Sequence, residues 1–409
     1  MNDIMAARRP TDAVAIGSVE VRSRRELVHC SRWTKAFGSE RKDRRFYELV
    51  EDTIHPEFDY RYFVIKDDGG EIRAVQPFFI LDQDLLVGAS PRIGALTRFV
   101  RRLWPRWMRL RTLMVGCVAG EGHLDGDDAS ADGAHARLLA SAIVSHAREL
   151  RAPLVVLKEF PARYRAALDC FRDHGFTRVP SLPMVRLGIE YASFEDYMTR
   201  ALSKRARRNL REKFRAAARA AAIELEVVDD ITPLIDAVYP LYLQVYERSK
   251  LHFEKLSPEF FCALGKAMPD KVRFFVWRQN GSIVAFVACM VQGDAFYAEY
   301  LGLDYALALD LHLYHYAFRD MMRWAIANGL KRFHSSGLNY DPKLHLRYLL
   351  DPIDLYVRHT SGAFNAILKQ ALRWLEPTRY DKTLRQFANY DELWGGGEGD
   401  AVTLHAARP

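Results

Sequence analysis

The sequence contains few cysteines, and their positions follow no ordered spacing. Five occur among 409 residues, scattered along the chain and without a Cys-x-x-Cys pair. An odd number of scattered thiols is typical of a reduced protein and argues against a disulfide framework or a cysteine-based zinc site. We therefore expect a cytoplasmic protein that binds no metal.

Long apolar stretches are also lacking. No run of 18 apolar residues occurs, so we expect no helix that spans a membrane. The opening residues MNDIMAARRP contain no apolar segment of the kind found in secretory signals. The net charge is +7, which favours an anionic partner but leaves phosphate cofactor, nucleic acid and lipid open.

One hairpin-forming pattern, in contrast, occurs twice. RYFVIKDDGGEIRA begins at Arg61, and RFFVWRQNGSIVA begins at Arg273. In each, a run of aromatic and β-branched residues leads into a polar turn and a second run. Asn-Gly and Gly-Gly provide the positive φ angles that a tight hairpin requires, so each pattern predicts two paired strands.

The order of elements around the two hairpins is also the same. A helical stretch precedes each hairpin, and in the second half Ser257 is the predicted N-cap with Pro258 at the first helical position. A strand, a helix (about 134–150 and about 310–328) and a short strand follow. The pattern predicts an α+β protein with an internal duplication, and the alternative is a chance similarity of element order.

Four segments, taken in order, carry a resemblance to a known family. They are SFEDYMTRALSKRARRNLREKFRAAARAAAIELEVV, LYLQVYERSKLHFEKLSPEFF, FYAEYLGL and HSSGLNYDPKLHLRYLLDPIDLYVR. In this order they resemble the tandem-GNAT acyltransferases, the group that includes FemAB-like peptidyltransferases and the N-acetyltransferases related to them. The resemblance extends over about residues 15–395.

The resemblance implies two tandem GNAT-like domains with mixed β-sheets flanked by helices. We expect a degenerate N-terminal domain over residues 15–190 and the active domain over residues 191–394. Residues 1–14 and 395–409 are expected to be flexible, and the Gly-rich end should be dispensable for stability because glycine loses the most entropy on ordering. Single-domain GNATs bind the CoA pyrophosphate with a Gly-rich loop, which LGLDYALALDLHLYHYAF lacks.

Two basic clusters also suggest function. Between Arg200 and Arg219 lie nine Lys and Arg residues and a single acid, Glu212. Because like charges on a helix repel, we interpret this helix as a phosphate-binding surface; the alternative is a solvated face. RFVRRLWPRWMRLR, from Arg98, interleaves Arg with Trp as in contacts with an anionic membrane, and the alternative is an ordinary amphipathic surface helix.

Acyl transfer to an amine requires a base, because an alkylammonium with a pKa of about 10.4 cannot attack at neutral pH. Glu299 lies among apolar residues of FYAEYLGL, on the strand where GNAT enzymes often place their base, and is the predicted base. The alternative is a salt bridge to an arginine. The corresponding strand of the first half is expected at DLLVGAS, which has no equivalent acid.

The resemblance implies roles for further residues as well. These are Tyr340 as the acid, Lys343 with Arg207, Arg208 and Arg211 as cofactor ligands, and Tyr246, Arg248, His252, Tyr300 and His312 as the acceptor pocket. A lone histidine near an apolar face, such as His334, is more often a satisfied core residue.

Together these patterns predict a cytoplasmic N-acyltransferase that uses acyl-CoA as a co-substrate, holds no permanently bound cofactor and acts on a small or lipid-linked amine. One alternative is a FemAB-like transferase that takes an aminoacyl group from tRNA to a cell-wall precursor. The absence of a helical-hairpin insertion between Ala222 and Leu241 argues mildly against tRNA. Another alternative is a non-catalytic protein that binds an anionic polymer or a membrane surface. The acyl group, the amine and the oligomeric state stay open.

Overall fold

The computed structural model describes residues 17–54, 57–84, 109–126, 129–220, 222–249, 253–372 and 376–394. These residues form two seven-stranded mixed sheets with helices against them, which confirms the α+β class. Most of the cluster that begins at Arg98 lies outside the described residues, as do His252 and the segment 395–409. Within the described ranges, no helix is both long and apolar enough to cross a membrane.

The strands, in chain order, are β1 Gly17–Arg22, β2 Asp59–Asp67, β3 Ile72–Asp84, β4 Arg109–Val115, β5 Leu154–Pro161, β6 Thr177–Pro180, β7 Met184–Gly188, β8 Ile223–Val228, β9 Val272–Gln279, β10 Ser282–Gln292, β11 Ala295–Leu303, β12 Arg332–Ser335, β13 Leu349–Asp351 and β14 Ile353–His359.

The helices are α1 Ser31–Lys35, α2 Arg44–Thr53, α3 Ala129–Glu149, α4 Arg165–Leu168, α5 Cys170–Asp173, α6 Phe194–Ala201, α7 Lys204–Ala220, α8 Ile235–Arg248, α9 Pro258–Ala267, α10 Leu313–Ala327, α11 Tyr340–His345, α12 Gly362–Leu372, α13 Pro377–Tyr380 and α14 Tyr390–Trp394.

The two sheets have the same construction, strand for strand. The first has the order β1-β2-β3-β4-β5-β14-β6 and the second has the order β8-β9-β10-β11-β12-β7-β13. In each, the fourth and fifth strands are parallel, and every other neighbouring pair is antiparallel. The helices follow the same rule, since α1 and α2 precede β2 as α8 and α9 precede β9, and α3 follows β4 as α10 follows β11. The duplication inferred from the hairpins therefore extends over both halves.

The last strand of each half crosses into the other sheet. β7 pairs with β12 in the second sheet, and β14 pairs with β5 in the first. Arg165 reinforces the second exchange, because its guanidinium donates two hydrogen bonds, of 2.6 and 3.1 Å, to the buried Asp354 carboxylate on β14. The predicted boundary at residue 190 stays a prediction, and the strand exchange means that neither sheet is complete without both halves.

The repeated hairpin pattern encodes strands that are buried on both faces. In β2, alternate residues pack into a core between the sheets and into an outer core under α3; in β9, the outer core lies under α6 and α10. The shared core between the two sheets receives Tyr62, Val64, Phe274 and Val276, and the two outer cores receive Phe63, Ile65, Phe275 and Trp277. A continuous run of large apolar residues is what such a strand requires.

Local sequence signals are confirmed at several element ends. Asn280 and Gly281 have φ angles of 51° and 79°, as the predicted tight turn requires. The Ser257 hydroxyl accepts a hydrogen bond from the Phe260 amide, with Pro258 at the first position of α9. Gly329 ends α10 with a φ of 70°.

The basic helix is divided, in contrast to the continuous helix that its charge run suggested. α6 ends at Ala201 and α7 begins at Lys204, because Leu202 turns into the core and Ser203 accepts a hydrogen bond from the Ala206 amide. The counterpart of β11 in the first half also differs from the expectation. It is β4, residues 109–115, since this strand makes the parallel pair with β5.

Gly302 allows α8 to lie close against β11. A Cβ atom at this position would clash with the Phe286 ring and lie 2.8 Å from the Tyr242 amide nitrogen. We expect Gly302→Ala to lower the free energy of unfolding by about 1–3 kcal/mol, because neither neighbour can move without strain. Gly188→Ala on β7 is the control, since nothing lies within 4 Å of the added atom. Equal urea midpoints for the two variants would contradict this close approach.

Candidate active site between the two halves

The middle of a short charged segment of the first half, residues 39–45, is buried at the junction with the second half. Its sequence, SERKDRR, would be expected on the surface, yet Arg41, Lys42 and Asp43 are all at most 9% exposed. Lys271 of the second half donates hydrogen bonds to the Asp43 carboxylate at 2.8 Å and to the Glu40 carbonyl at 2.7 Å. The two halves are therefore joined by buried charges as well as by exchanged strands.

Two cations and two carboxylates form an ion cluster at this junction. The Arg41 guanidinium donates to Glu299 at 2.6 Å and also pairs with Glu121, and its plane lies 4.1 Å from the centroid of the Tyr297 ring. Lys42 donates to Glu121 at 3.1 Å, and its ammonium nitrogen lies 3.7 Å from Glu299. We call these four side chains, Arg41, Lys42, Glu121 and Glu299, the ion cluster.

Mutual neutralisation makes the ion cluster tolerable at this depth. Burial opposes the charge on Arg41, but the two carboxylates beside it raise the pKa of its guanidinium. Burial also opposes the charge on Glu121, and Arg41 and Lys42 hold the pKa of its carboxyl well below the usual range. A buried charge that loses its partner is costly, so each member depends on the others.

β11 changes its pairing where Glu299 stands. β11 pairs with β12 from Ala295 to Ala298, and beyond that point the ladder has no further pairs. On the other side, Ala288 pairs with Tyr300 and Cys289 with Ala298, which makes Glu299 the extra residue of a β-bulge. Within the described residues, β11 thus parts from β12 beside the bulge, and backbone groups there could polarise a carbonyl.

A second carboxylate, Glu254, is held nearby by the tyrosines of α8. Tyr239, Tyr242 and Tyr246 stack along the helix with ring centroids 5.8 and 5.9 Å apart. The Tyr242 hydroxyl accepts from the Leu256 amide at 3.1 Å, and the Tyr239 hydroxyl donates to the Leu256 carbonyl at 3.1 Å. These bonds fix the chain two residues from Glu254.

The first half meets Glu254 with the bulged end of β5. The ladder between β5 and β14 shifts at Lys158 and Glu159, and Glu159 adopts a φ of 57° that non-glycine residues seldom take. The Lys158 ammonium donates to Glu159 at 2.7 Å and lies 5.0 Å from the centroid of the Phe253 ring. Burial opposes the charge on Lys158, but Glu159 and Glu254 raise its pKa.

Burial raises the pKa of Glu254 to about 7, with Lys158 opposing this shift and Glu159 adding to it. A carboxyl group with this pKa can take up and release a proton at neutral pH, as general bases do. Burial also raises the pKa of Tyr300, and the charges of Glu299 and Glu254 add to the effect, so its hydroxyl keeps its proton. The junction between the halves therefore combines a carboxyl group with a pKa of about 7, a phenol and the point where the β11–β12 ladder ends.

Three of the residues predicted from the sequence lie at this junction between the halves. Tyr246 stacks on Tyr242, Tyr300 packs edge-on against Phe260 at 5.8 Å, and Glu299 forms the bulge. The base role of Glu299 stays a prediction, although its ion pairs match the salt-bridge alternative.

Tyr340 and Lys343 lie elsewhere. The Tyr340 hydroxyl donates to the Pro183 carbonyl at 2.7 Å, and the ring is 6% exposed. Lys343 donates to the carbonyls of Ser336 and Leu338, each at 2.5 Å, and burial lowers its pKa to about 7. Their predicted roles as acid and cofactor ligand remain predictions, which these hydrogen bonds do not favour.

The basic residues of α7 lie at the surface rather than in the cleft. Arg207 donates to the Thr199 carbonyl at 2.7 Å, Arg208 lies 3.6 Å from Glu212 and Arg211 pairs with Glu195.

The other predicted pocket residues lie at the ends of α8 and α10. Arg248 stacks over the Tyr305 ring at 4.2 Å, and His312 precedes α10 with a φ of 50°.

Sequence reasoning missed four residues of this region. No role was assigned from the sequence to Arg41, Lys42, Glu121 or Glu254. A usable signal existed, since Glu121 lies in the largely apolar, glycine-rich loop GCVAGEGHL, and a buried acid requires a cation. Which cation it meets depends on contacts distant in sequence.

Comparisons with known proteins agree with the fold. Residues 204–343 match the family model described as acetyltransferase (GNAT) domain. A putative 8-amino-7-oxononanoate synthase 2 of Mycobacterium tuberculosis is 24% identical over 256 residues, which cover 57% of this chain and 31% of that protein. This chain thus spans about a third of the length of the curated relatives that it matches.

Solved structures of similar shape include FemX, with 13% identity, coverage of 81% of this chain and 92% of that chain, and a TM-score of 0.49. The L-PGS structure from Bacillus licheniformis has 12% identity, coverage of 81% and 95%, and a TM-score of 0.48. At these values neither structure indicates what this chain acts on. The family model thus identifies residues 204–343 as similar to a GNAT acetyltransferase domain, and the repeated sheets set this domain within a tandem arrangement.

The ion cluster gives a stability prediction. Glu121→Gln should lower the free energy of unfolding by about 3–5 kcal/mol at neutral pH, because Arg41 and Lys42 lose a buried partner. The pKa of Glu121 is lowered in the folded state, so its contribution is complete above the usual value of 4.5 and is lost as the pH falls below it. Urea unfolding at neutral pH and at acid pH measures both effects.

Glu212→Gln on α7 is the control for this prediction, because its pair with Arg208 is exposed and should contribute less than about 1 kcal/mol. A Glu121→Gln protein as stable as Glu212→Gln at neutral pH would show that the buried cluster contributes little to stability.

Proposed function

We propose that this protein transfers an acyl group from acyl-CoA to an amine that is bound in the cleft between the two halves. The observation that carries the proposal is the end of the β11–β12 ladder at the Glu299 bulge, beside Tyr300, whose pKa is raised by burial and by the charges of Glu299 and Glu254. Direct acyl transfer needs an amine without its proton, a polarised carbonyl and a proton for the leaving thiolate.

Glu254 serves as the base in this proposal. Its pKa of about 7 lets it be charged in a useful fraction of molecules at neutral pH and still accept a proton from an ammonium. Tyr300, which keeps its proton, is the hydroxyl suited to meet the leaving thiolate. Glu299 then acts as a positioning residue, because its ion pair with Arg41 fixes the bulge at which the β11–β12 ladder ends.

The donor's phosphates would lie on the other face of the second sheet, near the start of α10. Lys213 of α7 lies 3.0 Å from the His315 side chain in the first turn of α10, and burial together with Lys213 lowers the pKa of His315 to about 4. A cation beside a helix N-terminus favours an anion. The predicted ligands Arg207, Arg208 and Arg211 lie on the same helix as Lys213.

The role of Glu254 as the general base can be tested through the pH–rate profile. Glu254→Gln should lower kcat by roughly 10²–10⁴ and remove the acid limb of the profile near pH 7, since the remaining rate depends on amine already neutral in solution. Raising the pH should therefore partly restore the rate. Because the pKa is raised from 4.5 to about 7, Glu254 lowers stability increasingly as the pH rises through this range, and the full cost remains above it. The melting temperature of Glu254→Gln at pH 8 should therefore be unchanged or higher than that of the wild type.

Glu259→Gln, in the exposed first turn of α9, is the matched control and should keep the wild-type profile. Glu299→Gln separates the two candidate bases. We expect Glu299→Gln to be less stable than the wild type but to keep the acid limb of its pH–rate profile. Its stability falls because Arg41 is left with one carboxylate. If Glu299→Gln is stable and loses the acid limb while Glu254→Gln keeps it, Glu299 is the base and the assignment of Glu254 is wrong.

Direct transfer also requires that the Cys117 thiol forms no covalent acyl-enzyme intermediate. This thiol lies at the end of β4, and burial raises its pKa to about 11, so little thiolate exists at neutral pH. Cys117→Ala should keep kcat within about threefold, and single-turnover kinetics should show no burst of released CoA. A burst that disappears in Cys117→Ala would overturn direct transfer.

A further inference from the structure

A groove on the outer face of the second half is lined by four arginines. It lies between α6, α7 and α10 and has a volume of about 280 Å³. Arg211 and Arg215 come from α7 and Arg319 and Arg323 from α10, while Phe194, Met198, Phe214 and Ala218 provide apolar lining. Glu195 is the one acid among the lining residues.

The groove is separate from the cleft between the halves. Phe194, Met198 and Phe214 belong to the core on the α10 side of the second sheet, whereas Tyr242 and Tyr300 belong to the core on the opposite side. A partner seated in the groove would leave the cleft open.

The arginines on each wall are four residues apart. Four residues of an α-helix rise about 6 Å. The two arginines of each wall therefore match the spacing of acids at every fourth position of a partner helix. On α7 the basic row extends in both directions from the groove, because Lys204, Arg208 and Arg219 are exposed and fall on the same stripe.

Arginine side chains already lie over the aromatic ring faces in the groove, which disfavours nucleic acid as its ligand. The Arg319 guanidinium lies 5.2 Å from the Phe214 centroid, and the Arg323 guanidinium lies 5.9 Å from the Phe194 centroid. Single-stranded nucleic acid gains much of its affinity from bases stacked on free aromatic faces. A guanidinium stacked on a ring still directs its in-plane N–H groups outward, where they can bind a carboxylate.

The groove already binds carboxylates from its own helices. Arg211 pairs with Glu195, and Arg319 donates to Asp320 at 2.8 Å. From the charge, the spacing and the apolar lining we propose that this groove docks an acidic, amphipathic helix of a partner protein. Glu195 competes with the partner's carboxylates for Arg211.

The test uses a short helical probe peptide whose glutamates recur every four residues beside a leucine stripe. Fluorescence anisotropy with the full chain should show binding that weakens as salt is added. The double variant Arg215→Glu with Arg323→Glu should bind the peptide at least about tenfold more weakly. Glu195→Gln should bind it about twofold more tightly, since Arg211 loses its internal partner.

Arg205→Glu is the matched control, because Arg205 is exposed on α7 but does not line the groove. It should bind within about twofold of the wild type. Equal losses in the control and the double variant would show non-specific attraction and overturn the proposal. It is also overturned if CoA displaces the peptide, or if the peptide does not bind while an RNA oligonucleotide or phosphatidylglycerol vesicles bind and lose affinity in the double variant.

Discussion

The two halves of this chain are joined by buried ion pairs. Arg41 and Lys42 enter from the first half and meet Glu121 of the first half and Glu299 of the second. Since a buried ion is tolerable only with its partner, the halves can take few other relative positions. The ion pair between Arg41 and Glu299 also holds the bulge on β11. The interface between the halves therefore sets the position of the strand segment where β11 parts from β12.

The exchanged strands and the ion cluster act together on the cleft. β7 and β14 complete the opposite sheets, which brings the bulged end of β5 against the second half. Lys158 and Glu159 at that bulge then surround Glu254, whose raised pKa depends on burial between the halves. The raised pKa of Glu254 thus depends on residues from both halves, so the duplication contributes to the proposed chemistry as well as to the fold.

Much of the fold could be predicted from the sequence, because hairpins, caps and helix faces are local patterns. The runs at Arg61 and Arg273 predicted strands, and Ser257 predicted the start of a helix. The strand exchange could not be predicted, because β7 and β14 look like any short strand and their partners are distant. For the same reason, Glu299 was recognised as a buried acid with a salt bridge to an arginine as the alternative, but the arginine could not be identified as Arg41.

Release of CoA tests most directly whether the chain moves an acyl group to an amine. Purified protein would be mixed with acetyl-CoA and a panel of amines, with free thiol and acylated product followed together. We expect thiol release that depends on the amine, rises with pH through about 7 and matches the acylated product mole for mole. Folded protein that releases no thiol with any acceptor, or releases it equally without one, would contradict acyl transfer by this chain.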